Sequence, residues 1–147
     1  MDLLKAPSID LTKRPPRSPN VKLAGIVSLA RMIDKTHAND QGTIGEYDID
    51  CPHDKPVLAF LGIDFRTFAA KVRALRYDDA HIAAWVSGLL AGKAPRDLQD
   101  FNDKRRAWGP DKHSAHYFET MRRKVAPDRT DINTWFAVLD LDEGRTA

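Results

Sequence analysis

The chain has 147 residues, with 23 lysines and arginines against 21 aspartates and glutamates, for a formal net charge of +2. That length suits one domain with a single core, and 42% apolar with 30% charged residues excludes a disordered chain. Cys51 is the only cysteine, which excludes an internal disulfide and a cysteine-rich zinc site.

The longest stretch free of Asp, Glu, Lys and Arg runs from Ala80 to Gly92, short of the ~20 apolar residues that span a bilayer. Met1-Asp2-Leu3-Leu4-Lys5 lacks the apolar region of a signal peptide. A cytoplasmic protein without membrane contact is therefore expected. The charge balance is too even to identify a partner by itself.

Residues 1–20 are expected to form an extended arm ahead of one helical domain, 21–147. Pro15, Pro16 and Pro19 fix φ, remove donors and push their predecessors towards extended geometry. The arm either wraps the domain or stays free of it.

A central helix is expected from Val21 to about Ala38, with Leu23, Val27, Ala30 and Ile33 on one apolar face and a narrow polar strip through Ser28, Arg31 and Lys35. Asp34 and His37 fall inside the apolar arc. An ionised carboxylate in a core is costly unless paired, so Asp34 needs a partner: Arg31, His37 or a group from another segment. His37 reads as a satisfied core histidine.

Gly42 to Asp54 reads as a loop that packs Glu46, Tyr47, Asp48, Asp50, Cys51, His53 and Asp54 close together. Asp54 is expected to cap a short helix ending at Gly62, and Asp64 the next, carrying Phe65, Phe68, Val72 and Leu75. Asp78 or Asp79 opens another with Ile82 and Val86, Pro95 starts one closed by Gly109-Pro110, and two more cover Lys112–Val125 and Ile132–Leu139. No segment alternates with period two for long enough to make a sheet. The fold class is all-α, a single compact domain of six or seven helices around the first.

Several strings occur in fixed order: Pro15-Pro16-Arg17-Ser18-Pro19, Leu29-Ala30-Arg31-Met32-Ile33-Asp34-Lys35, Gly45-Glu46-Tyr47, Cys51-Pro52-His53-Asp54 and Phe60-Leu61-Gly62-Ile63-Asp64. Together with Thr134-Trp135-Phe136 and Asp140-Leu141-Asp142-Glu143 near the end, they resemble a bacterial family known as domain of unknown function 5069. The resemblance implies a bacterial single-domain protein and carries no activity with it.

Two groups of residues could do chemistry. Cys51 precedes a helix N-terminus, which favours thiolate, and His53 could serve as its base, oriented by Asp54, Glu46 or Asp34; the bland reading is a packing cysteine. The second group is a polar pocket with Arg31 and Lys35 from the helix and Tyr47, His53 and Asp54 from the loop as ligand-binding residues. Cys51, Asp34 and Glu46 are its catalytic candidates. Its bland reading is an internal salt-bridge network.

The favoured expectation is a protein that holds a small anionic molecule, and an enzyme if one of those three reacts. The alternative is a helical module that binds protein or nucleic acid without catalysis. Basic clusters at Lys13–Arg17, Lys104–Arg106 and Arg122–Lys124 have acidic neighbours and read as solvated surface, so nucleic acid is not expected. His113 and His116 lack a third ligand, and neither a metal nor another cofactor is expected. Trp85, Trp108 and Trp135 read as core or interface rather than stacking platforms.

Overall fold

A computed structural model of the chain describes residues 8–147. Among them are a two-stranded hairpin, β1 (Lys22–Leu23) and β2 (Ile26–Val27), and seven helices. The helices are α1 (Leu29–Gln41), α2 (Lys55–Leu61), α3 (Phe65–Ala74), α4 (Asp79–Leu89), α5 (Pro95–Ala107), α6 (Ala115–Val125) and α7 (Trp135–Asp142). The fold is all-α but for that hairpin, and no helix among the described residues is long and apolar enough to cross a membrane.

The helix expected from Val21 to Ala38 is corrected at both ends. Ala24 (φ 52°) and Gly25 (φ 79°) make a tight turn that pairs Lys22 with Val27 and Leu23 with Ile26. Two consecutive left-handed residues suit a two-residue hairpin turn and cannot continue a right-handed helix. Asn102 of α5, itself buried, holds the hairpin: its Oδ1 accepts from the Val27 N–H at 3.0 Å and its Nδ2 donates to the Gly25 carbonyl at 2.9 Å. Ser28 is also left-handed (φ 72°), so α1 begins only at Leu29, and it ends at Gln41, three residues later than expected, capped by Gly42 (φ 72°).

From Leu29 to Ala38 every α1 residue except Asp34 is buried. Its apolar side carries Leu29, Met32 and Ile33 into a core shared with Val57, Phe68, Val72, Ile82 and Val86. A second cluster joins Phe118, Ile132, Trp135 and Val138, with Trp108 packed against it. Side-chain caps set three helix starts: Asp64 accepts from Thr67 N–H, Asp78 from His81 N–H and Thr134 from Ala137 N–H.

The arm from residue 8 onward wraps α1. Ile9 and Leu11 are buried against Ala38, and the Leu11 N–H donates to the Thr43 carbonyl at 2.9 Å. The first seven residues of the expected arm lie outside the described residues.

Candidate functional site

The polar strip of α1 faces inward. Arg31 is 5% and Lys35 3% exposed, so both need partners of opposite charge. The Lys35 ammonium donates to Asp54 Oδ1 and Oδ2 at 2.9 and 3.0 Å and reaches Cys51 Sγ at 3.5 Å. Asp54 sits at the N-cap position of α2, but its carboxylate makes no capping bond, contrary to expectation. Lys35 claims it instead, with a long contact from the Cys51 N–H at 3.4 Å.

Arg31 is gripped from the far end of the chain. Its Nη1 and Nη2 donate to the two Glu143 oxygens at 2.8 and 2.6 Å, and Nη1 also reaches the Arg17 carbonyl at 3.2 Å. Arg145 Nη1 donates to Glu143 at 2.6 Å, and the Tyr47 hydroxyl donates to it at 3.4 Å. Burial, then the Glu143 charge, push the Tyr47 phenol up to about 12. Arg31 also lies 5.5 Å from the Tyr47 ring centroid.

Above these two ion pairs opens a cleft of about 610 Å³. Arg31, Lys35 and Cys51 form its floor, and Glu46, Tyr47 and Asp48 one rim. Tyr117, Met121 and Lys124 of α6 and Asp142 and Glu143 at the end of α7 also line it. His53 also lines it, but its ring stands edge-on to Trp108 at 4.7 Å and Trp135 at 6.4 Å. Burial, then the nearby charges of Lys35, Arg31 and Arg105, hold the imidazole down at about 3. Among the described residues no hydrogen bond joins His53 to Cys51.

Six of the expected site residues thus meet at one cleft: Arg31, Lys35, Glu46, Tyr47, Cys51 and His53. Asp54 lies beneath, on Lys35. Asp34 is apart, bonded to the backbone N–H of Arg17 at 2.9 Å and to its guanidinium at 3.1 Å. Arg17 joins it to Asp79 at 2.7 Å, so the partner came from the arm. His37 stacks on Tyr77 with centroids 4.0 Å apart.

The carboxylate of Glu143 and the α6 wall were missed. A buried Arg31 calls for an acid, and Asp140-Leu141-Asp142-Glu143 offers three, but nothing in the sequence places that segment beside α1.

Each basic cluster yields an arginine to the interior: Arg17 to Asp34 and Asp79, Arg105 against Trp108, and Arg122 to Glu119. His113 and His116 are exposed, and no group of three or more His, Cys, Asp or Glu among the described residues is arranged to hold a metal.

Comparison with known proteins gives one family. A family model described as Domain of unknown function (DUF5069) matches residues 13–145. No curated protein matches the chain.

Proposed function

The chain belongs to the DUF5069 family, whose description assigns no activity, and from the geometry of its cleft we propose that it is a cytoplasmic binding protein for a small polar metabolite. The observation that carries this reading is the cleft. Its volume of about 610 Å³ lies within the roughly 300–1,000 Å³ of small-ligand pockets. Polar groups from α1, the loop 42–54, α6 and the end of α7 converge on it. The Arg31–Glu143 and Lys35–Asp54 pairs fix its floor before any ligand arrives, which lowers the ordering cost of binding.

The pairing narrows the expected anionic ligand. Lys35 is held on Asp54 and Cys51, so an anion meets the remaining N–H groups of Arg31 and the Lys124 ammonium. Glu46, Asp48 and Asp142 at the rim favour a cationic or donor group beside it. A molecule with a carboxylate next to an amine satisfies both.

Binding without a chemical step fits the geometry better than catalysis at Cys51. An imidazole held near 3 and turned onto Trp108 is too weak and too misplaced a base to take a thiol proton near neutral pH. Amide NMR titration tests the reading with three probes: glutamate for the amphoteric class, inorganic phosphate for the anion and spermidine for the cation. Saturable shifts at Tyr47, Cys51 and Lys124 are expected, largest with glutamate. Absence of saturable shifts with all three at millimolar concentration overturns it.

A further inference from the structure

A separate cavity of about 370 Å³ opens between the arm and the turn that joins α3 to α4. It shares no lining residue with the cleft over Arg31 and Lys35. Arg14 and Arg17 line it from the arm, Arg76 and Tyr77 from the turn. Three carboxylates line it too, and each is engaged within the fold. Asp34 and Asp79 both bond the Arg17 guanidinium, at 3.1 and 2.7 Å. Asp78 caps α4, accepting from the His81 N–H at 3.0 Å and lying 2.6 Å from the His81 ring nitrogen Nδ1. Arg14 and Arg76 have no such partner: among the described residues, neither side chain forms an ion pair or a hydrogen bond. One unpaired arginine on a surface is ordinary, but here two from distant segments of the chain meet on one cavity.

The backbone that carries each of them is fixed before any ligand arrives. Arg76 (φ 58°) and Tyr77 (φ 59°) are consecutive left-handed residues with side chains, a conformation that glycine adopts at less cost. Tyr77 is pinned in it, with its hydroxyl donating to Asp40 at 2.5 Å and its ring stacked on His37. Strained residues of this kind gather at ligand clamps. The arm is held on both sides of Arg14, by the burial of Ile9 and Leu11 before it and by the Arg17 ion pairs after it.

We propose that Arg14 and Arg76 clamp a phosphate group in this cavity. The guanidinium fork matches phosphate oxygens two at a time. Two unpaired positive charges also match the near-dianionic charge of a phosphate monoester at neutral pH, whereas a single carboxylate would leave one guanidinium over. Arg17 keeps Asp34 and Asp79 to itself, so those carboxylates do not compete for the clamp. The volume, at the lower end of small-ligand pockets, suits a small phosphorylated metabolite. The site stands whether or not the cleft over Arg31 and Lys35 takes a ligand.

Amide NMR titration with inorganic phosphate, held in its dianionic form at constant ionic strength, tests the clamp. Saturable shifts at millimolar phosphate are expected at Arg14, Arg76, Tyr77 and Asp79. Arg14→Gln and Arg76→Gln are each expected to weaken the apparent affinity several-fold, and the double variant to lose saturation. Arg66→Gln, which removes an exposed arginine of α3 outside the cavity, is expected to change nothing. Arg14 and Arg76 are exposed as well, so wild-type thermal midpoints in these variants verify that the fold is kept. Drift without saturation, shifts that survive in the double variant, or an equal weakening in Arg66→Gln overturns the site. Shifts only at Tyr47, Cys51 and Lys124 also overturn it, while leaving the reading of the other cleft in place.

Discussion

The Lys35 ammonium is held on Asp54 and Cys51, so losing one partner and losing both act differently on stability. Lys35→Met leaves the Asp54 carboxylate buried alone, and urea denaturation at neutral pH is expected to show a loss of ~3–5 kcal/mol. Replacing both, as Lys35→Met with Asp54→Leu, removes the stranded charge and is expected to recover most of that loss. His53 adds a pH dependence. Its folded-state value is depressed to about 3, while an unfolded imidazole titrates near 6.5. The unfolded chain therefore takes up the proton first as pH falls. The contribution is fully present above about pH 6.5 and is lost on the way down towards pH 3, at up to ~1.4 kcal/mol per pH unit. His53→Gln is expected to flatten the stability profile between about pH 6.5 and pH 4.5, above the main carboxylate range. An unchanged slope in that window contradicts the buried neutral imidazole.

The hairpin ahead of α1 depends on two left-handed residues and one distant asparagine. Ala24 holds φ 52° with a Cβ, so Ala24→Gly relieves strain, although it adds freedom to the unfolded chain; the two effects leave a change within about 1 kcal/mol. Gly25→Ala also removes freedom from the unfolded chain, but the strain it adds is larger. Its φ is +79°, and the new Cβ would stand 3.3 Å from Leu98 Cδ2, for an expected loss above ~1 kcal/mol. Asn102→Ala strips the partner from the Val27 N–H and is expected to cost ~1–3 kcal/mol by thermal or urea unfolding. These long-range bonds also explain what could be read in advance. Helices α2 to α7 announced themselves through local signals: Asp64 and Asp78 as caps, Pro95 at a first turn, Gly62 at a stop. Leu23 and Val27 fit a helical face as well as a strand, and Asn102, which decides between them, lies 75 residues from Val27. Asp34's need for a partner was legible from its place among apolar residues, while Arg17's role depends on the arm's path. The loop's contribution to the cleft was readable because its polar residues crowd one short stretch. The wall from α6 and α7 was not, because packing alone brings it there.

Across the whole molecule, Glu143 ties the end of the chain to its centre. Arg31 of α1, Tyr47 of the loop and Arg145 all bond to its carboxylate, so one residue ties the α1 floor and the loop rim of the cleft to the end of α7. Glu143→Gln keeps the shape and removes the charge, leaving Arg31 buried without its counter-ion. A stability loss of ~3–5 kcal/mol is expected, together with faster amide exchange in the loop 42–54 and the last turn of α7. Exchange that stays at wild-type rates there would show that the loop is held by other contacts.

Binding at this site requires that the inward polar strip of α1 floor an open cleft able to admit a small molecule, rather than a sealed salt-bridge network. Cys51, the single thiol, lies on that floor, so its native-state alkylation by iodoacetamide reads that openness directly. Labelling much faster than global unfolding is expected, slowed when glutamate occupies the cleft. Labelling that proceeds only at the rate of global unfolding would contradict it.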